Sequence, residues 1–122
     1  MKDKDFAPYP EALELKQLGF DEPCFGVYFN PTKELFIGKK VNQFTKDIRT
    51  LAPTYSQAFR WFRDKYSLCI VIKPIDDKKL DLGYNLLKNG LIMSAHLTYE
   101  GAELACLRNL IKIVKEQTND KQ

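Results

Sequence analysis

Arg60, Trp61, Arg63 and Lys65 set cations beside an aromatic ring within one short stretch. That combination can stack on nucleic-acid bases while holding phosphates. Lys39 and Lys40 could add charge to the same surface. On a helix, Trp61 lies about 120° away from the stripe of apolar neighbours, so it sits at the flank, either partly exposed or covered by another segment. Three readings are open. Trp61 packs under residues 38–53 while the arginines stay solvated, or the group binds nucleic acid, or it anchors a protein partner, since Trp, Tyr and Arg are enriched where interfaces carry their energy.

Other chemistries find less material. His96 is the only histidine, which rules out a multi-histidine metal site or a histidine-based triad within one chain. With Glu100 a few residues on, it could form an acid–base pair, but nothing marks a pocket around it, and it reads as a surface histidine. Asp76, Asp77 and Asp81 lack the ligand spacing of a calcium loop, and Lys78 and Lys79 between them mark a solvated turn. Glu100 and Glu103 are accounted for by the positive end of a helix dipole. Gly38-Lys39-Lys40 has neither the upstream glycine nor the following hydroxyl of a phosphate loop. No catalytic residue, metal ligand or cofactor is therefore expected.

The elements that would position these residues are clearest in the last third of the chain. Asn89-Gly90 between two alternating apolar runs signals a two-residue hairpin, because both residues tolerate positive φ. Pairing Lys88 with Leu91 places Leu86 opposite Met93, Tyr84 opposite Ala95 and Leu82 opposite Leu97, all on one face. A helix begins after Thr98, a good N-cap. Its apolar residues form two strips, Ala102, Cys106, Leu110 and Ile113 beside Leu104, Leu107, Ile111 and Val114. A surface helix needs a stripe of only about 100°, so the second strip calls for a neighbouring helix or another chain.

Upstream, residues 1–8 are expected to be disordered. Pro10 opens a helix over 11–18 that Gly19 stops as a C′ residue, with Phe20 packing back. Phe25, Val27 and Phe29 alternate with Gly26 and Tyr28, and a turn at residues 30–34 leads to Leu35-Phe36-Ile37, a second hairpin. Residues 38–53 show no clean period and read as a long loop with short extended pieces. Thr54 and Gln57 form a capping box for a helix over 54–66, with Tyr55, Ala58, Phe59, Phe62 and Tyr66 on one face. Residues 68–73 make a buried strand that Pro74 ends.

The 122 residues carry a net charge of +3 and suit a single domain. Residues 1–22 hold six acids and three bases, leaving ten acids and sixteen bases in the rest, so an acidic start precedes a basic body. Cys24, Cys69 and Cys106 are odd in number and widely spaced, which reads as reduced core thiols. No apolar run spans a bilayer and no signal-type start is present, so a cytoplasmic protein is expected.

From Thr54 onward the order helix, three strands, helix resembles the double-stranded-RNA-binding-domain topology. That family grips phosphate with lysines at the start of its last helix; here the matching turn holds Tyr99, Glu100, Gly101 and Glu103. Over nearly the whole chain, Leu18-Gly19-Phe20-Asp21-Glu22-Pro23-Cys24, the run from Ala52 to Arg63 and Tyr99-Glu100-Gly101-Ala102-Glu103-Leu104-Ala105-Cys106-Leu107 resemble small uncharacterised proteins of phages and prophages from gut anaerobes. This resemblance implies a mobile-element origin and no mechanism.

The expected fold is α+β, an antiparallel sheet of three to five strands packed against helices, with strands 68–73, 82–88 and 91–97 between helices 54–66 and 99–116. The expected function is a non-enzymatic interaction module that binds a protein partner or itself through helix 99–116. The alternative is nucleic-acid binding through Arg60, Trp61, Arg63, Lys65, Lys39 and Lys40.

Overall fold

The computed structural model describes residues 2–38, 43–68, 70–74, 82–86, 91–96 and 99–120. The fold is α+β, as expected, and among the described residues it holds two separate three-stranded antiparallel sheets. The chain forms two compact units, Met1–Ala58 and Phe59–Gln122.

In the first unit, helix α1 (Tyr9–Gln17) carries Pro10 in its first turn, where a missing N–H costs nothing. Gly19 stops it at φ 98°. The Gly19 N–H donates to the Lys16 carbonyl at 3.1 Å and the Phe20 N–H to the Leu15 carbonyl at 3.0 Å, the paired bonds of a Schellman cap. Phe20 and Leu15 are both buried, as the expected back-packing requires.

Strands β1 (Gly26–Phe29) and β2 (Glu34–Ile37) form the N-terminal hairpin. A third strand, β3 (Arg49–Ala52), pairs antiparallel with β1 and gives the order β2-β1-β3. The hairpin thus builds its own sheet instead of extending the C-terminal one. Its third strand comes from the stretch expected to be a long loop, where four residues are too few to show an alternation of their own.

The N-terminal residues are not frayed. Phe6 is 2% exposed and clusters with Ala12, Tyr28 and Ala52, with Tyr9, Leu35 and Ile37 packed against them. Burying such a side chain contributes about 1.5–3 kcal/mol, enough to hold a short terminal segment. Backbone pairing adds to it: the Ala7 N–H donates to the Pro53 carbonyl at 2.9 Å, and Phe6 bridges Thr54.

Helix α2 (Tyr55–Tyr66) starts at Thr54, whose hydroxyl accepts from the Gln57 N–H at 3.2 Å. The Gln57 side-chain amide also donates to the Pro23 carbonyl at 2.8 Å. Helix α2 ends at Ser67, which takes φ 57° and donates its N–H to the Arg63 carbonyl at 3.0 Å.

In the second unit, β4 (Ile70–Pro74), β5 (Leu82–Leu86) and β6 (Leu91–His96) form an antiparallel meander in that order. The observed register of β5 and β6 differs from the expected one. Leu86 pairs with Leu91 and Asn85 with Ile92, while Tyr84 pairs with Ser94 and Leu82 with His96. At Leu86 the pairing already stands two positions from the expected register, and the shift between Tyr84 and Asn85 reduces this to one. Leu86 and Met93 are therefore not partners, nor are Tyr84 and Ala95. The Asn89-Gly90 turn and the Thr98 cap lie outside the described residues. Helix α3 (Tyr99–Asp120) packs on all three strands and runs past the expected end at residue 116.

Candidate functional site

The cations of α2 are placed as the sequence suggests, and the aromatic ring is not offered with them. Arg60, Arg63 and Lys65 are exposed. Trp61 is 7% exposed. Its ring meets Phe62 edge-on at 5.1 Å and Tyr66 at 5.5 Å, and the Lys65 ammonium sits 5.0 Å from the Trp61 centroid and 5.7 Å from that of Tyr66. The π face that could take a base is thus engaged by a lysine of the same helix. Arg63 lies 3.6 Å from Asp64, both well exposed. Lys39 and Lys40 lie outside the described residues, as do Cys69, Asp76, Asp77 and Asp81. His96 stands opposite Leu82 in the β5–β6 ladder, and Glu100 is exposed on the first turn of α3.

Most of both strips of α3 is buried, with Ile113 of the first and Leu104 of the second half-buried. Ala102, Cys106 and Leu110 of the first and Leu107, Ile111 and Val114 of the second are buried.

A different group of residues comes together in the first unit, where two adjoining hollows run beside β3. One, of ≈ 80 Å³, is lined by Ala12, Lys16, Phe20, Asp21, Lys46, Arg49 and Leu51. The other, of ≈ 320 Å³, shares Asp21, Lys46, Arg49 and Leu51 with it and adds Glu22, Pro23, Cys24 and Val27. The larger falls at the lower end of the roughly 300–1,000 Å³ typical of ligand clefts. Each wall has a local cause. The Schellman cap turns the chain at Gly19 so that Phe20 and Asp21 leave α1 beside β3, and the Gln57–Pro23 bond holds the following segment.

The electrostatics are mixed and loosely held. Lys16, Lys46 and Arg49 face Asp21 and Glu22 around an apolar floor. The one described ion pair across the hollow, Lys46 to Asp21 at 3.9 Å, has both side chains largely solvated, so it holds its partners weakly. One Arg49 terminal nitrogen donates to the Phe44 carbonyl at 3.4 Å. Phe44 in turn packs against Phe29 and Phe36 at 5.3 and 4.9 Å.

Cys24 is half-buried and its thiol donates to the Glu22 carbonyl at 3.2 Å. Burial, reinforced by the Glu22 charge, pushes the thiol up to about 12. A thiolate is the reactive form, so Cys24 is a poor nucleophile at neutral pH. Cys106, fully buried, is raised as well, first by burial and then by the Glu103 charge. Among the described residues, no group of three or more His, Cys, Asp or Glu side chains could hold a metal ion. No described helix is long and apolar enough to cross a membrane.

Sequence reading missed this site because its key residues belong to β3 and its approach. Lys46 and Arg49 stand out as charges in an aperiodic stretch, but only the pairing of Val27 with Leu51 and Phe29 with Arg49 brings that stretch beside Asp21 and Cys24. Phe25, placed in a strand by the alternation, lies just before β1 and is 62% exposed. No family model, curated protein or solved structure matches the chain.

Proposed function

We propose that this chain is a non-enzymatic interaction module that recognises a protein partner with its first unit, in the cytoplasm, and that it originates in a phage or prophage, as its resemblance implies. The observation that carries this reading is the pair of hollows along β3: an apolar floor rimmed by Lys16, Lys46 and Arg49 and open at one side. Exposed Phe25, next in sequence to the hollow-lining Cys24, adds an apolar anchor of the kind that interfaces bury at their centre. The protonated Cys24 thiol suits a packing role better than covalent chemistry.

Affinity capture from a bacterial lysate with the wild-type chain and with Lys46→Glu tests this reading. A nuclease-resistant protein retained by the wild type and lost from the variant is the expected result. Equal retention by both, or retention of nucleic acid alone, would overturn it.

The second reading, nucleic-acid binding through α2, is favoured by the exposed Arg60, Arg63 and Lys65. With Trp61 engaged, it would rest on phosphate contacts, so its affinity would fall steeply with salt and drop in an Arg60→Ala, Arg63→Ala double variant.

A further inference from the structure

We infer that the outer edge of β3 is a docking edge for an extended acidic peptide, which adds as a fourth strand beside Arg49 and Leu51; this rests on the interaction-module reading and names its ligand class.

The hydrogen-bond phase of the sheet sets the edge. Beyond one end of β1 the Phe25 carbonyl accepts from the Gly38 N–H at 2.8 Å, and beyond the other the Asn30 N–H donates to the Ile48 carbonyl at 2.9 Å. Odd residues of β1 therefore bond toward β2 and even residues toward β3. Because antiparallel pairs alternate in this way, Thr50 and Ala52 bond back to Tyr28 and Gly26. The main-chain groups of Arg49, Leu51 and Pro53 then point to the outer side, since β3 ends the order β2-β1-β3. Pro53 confirms the phase, for its carbonyl accepts from the Ala7 N–H on that side.

The chain itself shows that extended backbone fits here. Phe6 and Ala7 pair antiparallel with Thr54 and Pro53 before Pro8 leads into α1. This covers one end of the edge. Among the described residues, none hydrogen-bonds to the outer main-chain groups of Arg49 or Leu51, and both hollows lie against these same two residues. An unpaired edge is a template for another strand.

Charge selects the strand. Three cations against two carboxylates rim the space, and the exposed Lys46–Asp21 pair can exchange its carboxylate for an incoming one. Natural edges also use cations to discourage pairing, but such cations repel basic strands and attract acidic ones.

The probe is a capped, fluorescein-labelled pentapeptide alternating valine and glutamate, with two controls: glutamate replaced by lysine, and every amide N-methylated. Anisotropy titrations use the full chain. The acidic peptide should bind more tightly than the lysine peptide by roughly tenfold or more, lose binding on N-methylation, and weaken with Lys46→Gln or Arg49→Gln. In amide-exchange NMR it should slow exchange at Leu51. Acidic-peptide binding indifferent to N-methylation, with Leu51 exchange unchanged, would overturn strand addition and leave a side-chain-mediated module standing. No peptide binding, while Lys46→Glu still abolishes lysate capture, would also overturn strand addition alone. Loss of both would sink the module reading with it.

Discussion

The Tyr28 hydroxyl, on the central strand of the first sheet, donates to the Ala7 carbonyl at 2.8 Å in a buried setting. This bond ties the N-terminal segment to a strand 21 residues away. Tyr28→Phe keeps the ring and its edge-on contact with Tyr9 at 5.3 Å while leaving a buried carbonyl without its donor. It should destabilise the fold by about 1–2 kcal/mol, read as a lower urea midpoint with unchanged slope.

Gly26 is held by space. A Cβ built there would stand 2.8 and 2.9 Å from two Phe6 ring carbons and 3.2 Å from the Ala52 carbonyl oxygen. Gly26→Ala should cost about 1–3 kcal/mol through overpacking. In a double-mutant cycle with Phe6→Leu, the two losses should fall short of additivity because the smaller side chain relieves the clash. Additive losses would show that Phe6 is not what Gly26 makes room for.

Ser67 ends α2 in the left-handed region, where a side chain costs about 1–2 kcal/mol. Glycine has no such cost and gives back part of the gain as unfolded-chain entropy. Ser67→Gly should therefore stabilise the chain by about 1 kcal/mol, seen as a higher melting temperature.

Alkaline stability depends on Cys24 and Tyr28, each pushed up to about 12, chiefly by burial. The unfolded thiol and phenol ionise near 9 and 10. Between those values and about 12 the unfolded chain binds fewer protons than the folded one, so stability falls as pH rises through that window. Below pH 8 neither group contributes a slope. Cys24→Ala and Tyr28→Phe should each flatten the decline of the urea midpoint between pH 9 and 11.5. Alkylation of Cys24 at pH 7.5 should be much slower in the folded chain than in urea.

Local chemistry in the sequence determined the helices. Gly19 and Phe20 specify the end of α1, Thr54 the start of α2, and the spacing of Tyr55, Ala58 and Phe62 its buried face, because each signal acts between residues a few positions apart. Tertiary structure decided what depends on distant partners. Residues 49–52 become a strand only by pairing with β1, Phe6 is ordered only because Gly26 leaves room for its ring, and β5 meets β6 two positions from the suggested register at Leu86 and one position from it at Tyr84. The candidate site belongs to this second class. Lys16, Asp21, Lys46 and Arg49 carry no shared motif, and they meet because a helix cap and a strand edge fold against the same side of one small sheet.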